Sequence, residues 1–137
     1  MKYLLDTCIV SGFSRGDAAI LRRLKHTRPD QICISTVTTM EIEYGLQLNP
    51  AKAQRIAAAV NPLLDLILTL PFNQADARAS AAIRASLKQQ GRPIGADDAL
   101  LAGCAISRGL IMVTANVKEF RRVNGLLIED WSSGNPS

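Results

Sequence analysis

The sequence predicts an α/β fold in which helices cover both faces of a mostly parallel sheet of four to five short strands. Short apolar segments alternate along the chain with longer stretches of helical periodicity, a pattern typical of βα units. The segment 110–114 (LIMVT) is almost continuously apolar, as expected of a parallel strand covered on both faces. The length of 137 residues suits one domain, which we expect over residues 1–131, followed by a frayed tail at 132–137.

The predicted strands are short apolar segments that end at polar or turn-forming residues. The first ends at Asp6, and the third ends at Pro71. We predict strands at residues 2–5, 32–35, 66–70 and 110–114, with a possible fifth at 126–128.

The predicted helices are marked by apolar residues at helical spacing and by capping residues. Asp17 is a typical N-cap, Asn49 and Pro50 form a typical N-cap and first-turn pair, and Gly109 is a typical C-terminal stop. We expect Pro62, with the asparagine before it, to interrupt the fourth helix. The helices are predicted from residue 7 onward and at 18–26, 36–48, 51–60, 73–90 and 96–108.

The side-chain inventory excludes several classes of function. His26 is the only histidine, which excludes paired-histidine nucleases and histidine-rich metal sites. Three cysteines without CxxC spacing argue against a zinc or redox site, and we expect them to be reduced in a cytoplasmic protein. Aromatic residues make up only 4% of the chain, too few for the stacking surfaces of common RNA-binding modules.

The net charge of +4 is compatible with an anionic partner but is weak evidence for one. Eleven of the sixteen cationic residues are arginines, which suit bidentate contacts with phosphate. No apolar run approaches the roughly 20 residues that span a bilayer, and Lys2 and Asp6 leave no room for the apolar core of a secretory signal. We therefore expect no membrane partner.

Four polar residues occupy positions where an open α/β sheet places its chemistry, beyond the carboxyl ends of the strands. Asp6 ends the first strand and Asn116 follows the fourth. Asp98 lies in the first turn of an almost wholly apolar helix, and Glu41 lies about six residues past the second strand, about 9 Å along its helix. Oxygen ligands without His or Cys suit Mg²⁺ or Mn²⁺ rather than zinc.

Each of these residues also has a structural interpretation. Asp6 could simply cap the following helix, and Asp97 and Asp98 could both serve the helix dipole. Glu41 could belong to a solvated face, and Asn116 could be a turn residue. The joint pattern, rather than any single position, favours a cation site.

Five ordered sequence blocks run almost from end to end of the chain. They are Leu4-Leu5-Asp6-Thr7, Ile34-Ser35 through Glu41 to Gly45, GRPIG at 91–95 followed by Asp98, Val113-Thr114 to Phe120, and Val123-x-Gly125-Leu126 to Asp130-Trp131. In this order and spacing the chain resembles PIN-domain ribonucleases, specifically the VapC-type toxins of bacterial type II toxin–antitoxin systems. The resemblance implies a PIN-like three-layer sandwich.

The resemblance also implies a catalytic site that uses a divalent metal. The metal-binding carboxylates of the family fall on Asp6 and Asp98. The remaining site positions are a third acid, a polar residue that is Asp or Asn in the family, and two supporting hydroxyls: Glu41, Asn116, Thr114 and Thr7. The chain departs from the family at Cys8, where Asn is usual, and at Ala115, where the toxins often have a second Asn.

The activity implied by the resemblance is that of a metal-dependent endoribonuclease, a hydrolase in which Mg²⁺, or Mn²⁺ in its place, activates water. The members most similar in the GRPIG loop cut transfer RNA in the anticodon stem-loop. The basic residues nearest the acids, Arg92, Lys118 and Arg121, are candidate RNA contacts. The implied partners are RNA and a cognate VapB-type antitoxin, in a homodimer and a toxin–antitoxin hetero-oligomer.

Two other functions remain open at this stage. A receiver-type phosphoacceptor domain shares the α/β pattern and the first-strand acid, but no aspartate ends the third predicted strand. A non-catalytic RNA-binding or assembly module with the same fold would bind RNA without cleaving it.

Overall fold

A parallel five-stranded sheet forms the centre of the structure, a computed structural model that describes residues 1–132. The strands are β1 (Tyr3–Leu5), β2 (Ile32–Ser35), β3 (Leu68–Leu70), β4 (Ile111–Val113) and β5 (Ile128–Glu129). Their order across the sheet is β3-β2-β1-β4-β5, and every pairing is parallel. The predicted α/β fold is thereby confirmed, including the fifth strand. Residues 133–137, most of the predicted frayed tail, lie outside the described residues.

Helices connect the strands and cover both faces of the sheet. Asp17 and Asn73 cap their helices through side-chain oxygens that accept backbone N–H bonds, and Pro50 is the first residue of its helix. None of the helices within residues 1–132 is both long and apolar enough to cross a membrane. The helices are α1 (Thr7–Ser14), α2 (Ala18–Lys25), α3 (Thr36–Leu48), α4 (Pro50–Leu66), α5 (Gln74–Gln89), α6 (Ala96–Arg108) and α7 (Val117–Phe120), and a 3-10 turn spans Pro29–Gln31.

The predicted interruption at Pro62 is wrong, because α4 continues through it to Leu66. A proline inside a helix loses one backbone hydrogen bond and costs about 3 kcal/mol. Here the next turn places Leu63 and Ile67 in the core, and each buried side chain of that size contributes roughly 1.5–3 kcal/mol. The helix therefore continues past Pro62, and the third strand begins at residue 68 instead of 66.

Successive side chains along each strand point to opposite faces of the sheet, and each face has its own hydrophobic core. Leu4, Cys33 and Met112 point into the core under α5 and α6. Their strand neighbours, among them Leu5 and Val113, point into the core under α1, α2 and α4. The result is the three-layer sandwich that the sequence predicts.

The helix α6, which carries the candidate acid Asp98, is held tightly against α5. A Cβ on Gly103 would lie 2.7 Å from the backbone nitrogen of Ser80 and 2.8 Å from the carbonyl oxygen of Asp76, so only glycine permits this approach. The fully buried Asp76 accepts hydrogen bonds from Arg108 at 3.0 and 3.3 Å. Burial alone would raise the pKa of Asp76, but the bonds from Arg108, Ser107 and the Asn73 backbone lower it. The middle and the C-terminal end of α6 are thus held against α5.

Candidate active site

The candidate site lies at the carboxyl ends of the central strands. The chain leaves β1 with β2 on one side and β4 on the other, so the strand order reverses there and opens a crevice. Leu5 pairs with Val113, which brings the next residues, Asp6 and Thr114, side by side at the edge. Both are buried, with exposed fractions of 5% and 0%.

Asp6 combines the two roles that the sequence leaves as alternatives. Its Oδ1 accepts the backbone N–H of Ile9 at 3.1 Å and caps α1. The same oxygen accepts a hydrogen bond from the Cys8 thiol at 2.8 Å. Burial raises the pKa of Asp6, and hydrogen bonds from Cys8, Thr114 and the Ile9 backbone offset only part of that rise. A buried carboxylate in this state favours a nearby positive charge.

Cys8 links the first strand to the loop after the fourth. Besides donating to Asp6, its sulfur accepts the backbone N–H of Ala115 at 3.3 Å and lies 3.7 Å from Thr114 Oγ1. Thr114 Oγ1 in turn accepts the backbone N–H of Asn116 at 2.9 Å. Partial burial and the charge of Asp6 raise the pKa of the thiol to about 11, so it is a neutral hydrogen-bond donor. Sequence reasoning notes the unusual residue here but assigns it no role.

Glu41 reaches the site from the second turn of α3. Thr7 Oγ1 donates to its Oε1 at 2.5 Å and lies 3.3 Å from Thr38 Oγ1. Burial raises the pKa of Glu41, the bond from Thr7 lowers it in part, and the charges of Asp97 and Asp6 raise it further. Glu43 is exposed, whereas Glu41 is half-buried. The structure thus brings Glu41 and Thr7 to the site and leaves Glu43 outside.

Asp98 is the carboxylate whose environment most clearly opposes its charge. Burial raises its pKa to about 6, with help from the charges of Glu119, Asp6, Glu41 and Asp97, in that order. The same helix face continues through the buried Leu101, Ala102 and Ala105, which pack in one core with side chains of the sheet.

Glu119 is an acid of this site that sequence reasoning missed. It lies in α7, three residues after Asn116, and its charge acts on Asp98 more strongly than any other. Its Oε2 pairs with Arg122 at 2.7 Å. Asn116 precedes α7 with an exposed side chain that makes no capping bond. The missed signal is the spacing of the two residues, about one helical turn, which places both near the same edge of the sheet.

The donor set suits a magnesium ion better than it suits a closed metal cage. Within residues 1–132, no group of three or more His, Cys, Asp or Glu side chains stands close enough to hold a metal ion. Mg²⁺ is usually bound through one or two carboxylates and keeps several waters. Asp6 and Asp98 can supply two such carboxylates, and the mutual repulsion of the acids explains why a cation would be favourable there.

The predicted RNA contacts are exposed basic residues, and two of them share a cleft with the site residue Asn116. Arg92, Lys118 and Arg121 are all exposed, and the last two line a cleft together with Asn116. Arg122, in the same basic segment, is different. Its guanidinium donates to the carbonyl oxygens of Arg92 and Pro93 at 3.2 and 3.1 Å while it pairs with Glu119.

Comparison with known proteins gives consistent results. The family model of the PIN domain matches residues 3–126. The tRNA(fMet)-specific endonuclease VapC of Shigella flexneri is 40% identical over 132 residues, which cover 96% of this chain and 99% of that protein. The protein of the same name from Salmonella typhimurium is 34% identical over 131 residues, covering 96% and 98%.

Two solved structures share this architecture. A chain in the crystal structure of DNA-bound VapBC from Salmonella typhimurium matches with a TM-score of 0.86 and 36% identity, covering 96% of this chain and 98% of that one. A chain of VapBC2 from Rickettsia felis, bound to a DNA fragment from its promoter, matches with a TM-score of 0.87 and 28% identity, covering 96% and 100%.

Proposed function

Since the chain belongs to the PIN domain family and to its VapC ribonucleases, we propose that it is an endoribonuclease in which Asp6 and Asp98 bind Mg²⁺. The observation that carries this proposal is the state of the two carboxylates. Both lie at the carboxyl edge of the sheet, and burial raises the pKa of each. PIN-domain VapC nucleases generally depend on a divalent metal, and the oxygen-only donors of this site favour Mg²⁺, with Mn²⁺ as a substitute.

The other site residues would prepare water for attack on the phosphodiester. A bound divalent cation lowers the pKa of water and polarises the phosphoryl oxygens. Glu41, held by the hydroxyl of Thr7, would orient the attacking water and accept its proton. Thr114 and Asn116 would hydrogen-bond these groups, and Glu119 would supply the charge that Asn116 lacks. Attack on phosphorus with departure of the 3′ oxygen leaves 5′-phosphate and 3′-hydroxyl ends.

The substrate and partners follow from the relatives. Two of them are tRNA(fMet)-specific endonucleases, and we propose a tRNA anticodon stem-loop as the substrate, contacted by Arg92, Lys118 and Arg121. The solved relatives are VapBC complexes, and we propose a VapB-type antitoxin as the partner, in a hetero-oligomer built on a toxin homodimer. Residues 1–131 would act as one cytoplasmic domain.

The test is cleavage of an initiator tRNA transcript by the purified chain with Mg²⁺, with Mn²⁺ and with excess EDTA. We expect discrete cuts with either metal and none with EDTA, and end-labelling should identify 5′-phosphates. Cleavage that persists in excess EDTA would contradict the metal mechanism. Stoichiometric RNA binding that the chelator leaves unchanged, without cleavage, would instead support the non-catalytic module.

A further inference from the structure

The structure has two basic clefts, one on each side of the acids, and a single arginine lines both. We propose that the RNA strand crosses the acids along these two clefts and that Arg15, at the far end of α1 from Asp6, binds a phosphate of the strand away from the cleavage point. This inference rests on the proposed function, which it deepens by giving the substrate a path.

The first cleft has a volume of about 540 Å³ and lies between α1, α3 and α4. Thr7 and Glu41 form its active-site end, and its basic residues are Arg15, Lys52 and Arg55. The second cleft has a volume of about 510 Å³ and lies between the loop after β4 and the turn before α2. Its active-site end is formed by Ala115 and Asn116, and its basic residues are Arg15, Lys118 and Arg121. Two acidic residues, Asp17 and Asp130, also line it, and both are engaged in interactions within the protein.

The cations of these clefts differ from the four ion-paired arginines, because no side-chain partner engages them within residues 1–132. Four arginines elsewhere are in ion pairs with Glu129, Asp30, Asp76 and Glu119. Within residues 1–132, no side-chain hydrogen bond or ion pair engages the five basic residues of the clefts. Their charges are therefore available to an anionic ligand. The unpaired residues are Arg15, Lys52, Arg55, Lys118 and Arg121.

Site residues form one end of each cleft, Thr7 and Glu41 in the first and Asn116 in the second, which favours a strand that passes the acids rather than one that ends there. An endonuclease substrate continues in both directions from the scissile phosphate, so it needs contacts on both sides of the catalytic carboxylates. Arg15, the C-cap residue of α1, is exposed and lies one helix away from Asp6 at the other end of α1. Its fork of donors suits a phosphate of the strand one helix length away from the acids. Sequence reasoning did not select it, because nothing in its sequence neighbourhood indicates two clefts.

The experiment separates binding from cleavage by working in an Asp98→Asn background, without added metal. Fluorescence anisotropy with a labelled anticodon stem-loop RNA would measure affinity for Arg15→Ala and Arg15→Lys. Arg78→Ala is the matched control, since Arg78 is exposed on α5 and lines neither cleft. Circular dichroism confirms folding, and we expect the variants to fold because no side-chain hydrogen bond or ion pair engages Arg15 within residues 1–132.

We expect Arg15→Ala to weaken RNA binding about tenfold, the loss of one charge-assisted contact. The slope of log affinity against log salt should become shallower by about 0.7, as for one phosphate contact on a single strand. Arg15→Lys should restore the slope and part of the affinity, and Arg78→Ala should change neither quantity.

RNA binding by Arg15→Ala that equals that of Arg78→Ala would overturn the proposal. The same holds if Arg15→Ala binds RNA normally but loses affinity for an antitoxin, because the clefts would then serve the antitoxin polypeptide. If the proposed function itself is wrong, the experiments give a different result. The unmutated chain would not cleave RNA with Mg²⁺, while the Arg15 dependence of binding in the Asp98→Asn background would remain.

Discussion

At the scale of single residues, the surroundings of each acidic side chain determine its role in the site, and residues of the same type therefore differ. Asp97 and Asp98 are adjacent in the sequence, and Glu41 and Glu43 are two residues apart. In a helix, the side chains of adjacent residues point about 100° apart, and those of residues two apart point about 200° apart. Asp98 lies on the same face of α6 as its buried apolar residues, and Glu41 accepts a hydrogen bond from the hydroxyl of Thr7. One metal site therefore cannot use both members of either pair equally.

The first prediction follows from this inequality. Asp98→Asn and Glu41→Gln should each reduce the rate of RNA cleavage by about 100-fold or more, the size of effect seen when a charge-stabilising group is removed. The matched neighbours Asp97→Asn and Glu43→Gln should cost far less. The assay is the single-turnover cleavage rate of the four variants, with circular dichroism to confirm folding. An inactive Asp97→Asn beside an active Asp98→Asn would move the metal ligand to Asp97.

The second prediction concerns stability without metal. The pKa of Asp98 is about 6 in the folded protein against an ordinary value of 3.8, so the folded state holds more protons than the unfolded state between these values. Its contribution to stability is therefore present below pH 4 and is lost as the pH rises to 6. Asp98→Asn removes this loss, so the Tm of the variant minus that of the unmutated chain should increase from pH 4 to pH 7.

Magnesium provides the independent check of that prediction. Added Mg²⁺ should raise the Tm of the unmutated chain at pH 7, because binding to the folded state stabilises it. At pH 4.5 the protonated acids should bind the cation poorly, and the shift should shrink. A Tm difference between variant and unmutated chain that does not change with pH would contradict the raised pKa.

At the scale of elements, the short helix α7 and the loop before α6 act as one unit because Arg122 connects them. Its side chain bonds the backbone of Arg92 and Pro93 and the carboxylate of Glu119, and only 17% of it is exposed. Glu119 is the charge that acts most on Asp98. Arg122 therefore positions the second half of the acid cluster and is not available to RNA, although the sequence places it in a basic run.

The third prediction uses two adjacent arginines as mutual controls. Arg122→Ala should raise the Mg²⁺ concentration for half-maximal cleavage by about 10-fold or more, as is typical when a group that orients metal ligands is lost. Arg122→Lys keeps the charge but not the fork of donors and should recover only part of the effect. Arg121→Ala should instead raise the KM for RNA and leave the Mg²⁺ requirement unchanged.

Isothermal titration with Mn²⁺ would show the same order of affinities without reference to catalysis. If Arg122→Ala changed only the KM for RNA, Arg122 would be an RNA contact, and the assignment to positioning would be wrong.

At the scale of the whole molecule, the parts that follow from periodicity could be predicted from the sequence and the parts that depend on long-range contacts could not. The strand sequence, the caps at Asp17 and Asn73, and the placement of Asp6 at a strand end come from local pattern. The continuation of α4 past Pro62 depends on hydrophobic contacts that form only in the assembled fold. Glu119 follows Asn116 by three residues, a spacing that the sequence shows, but its effect on Asp98 becomes visible only in the assembled fold.

The fourth prediction tests the activity of the intact chain in a cell. Expression of the chain alone in a bacterium should arrest growth, because an RNA-cleaving enzyme acts catalytically and needs few copies. Asp98→Asn should be harmless at the same expression level, which controls for the burden of making the protein. Co-expression of a VapB-type antitoxin encoded next to the chain should restore growth. The readouts are colony counts and northern blots of initiator tRNA, and harmless accumulation of the folded, unmutated chain would contradict toxin activity.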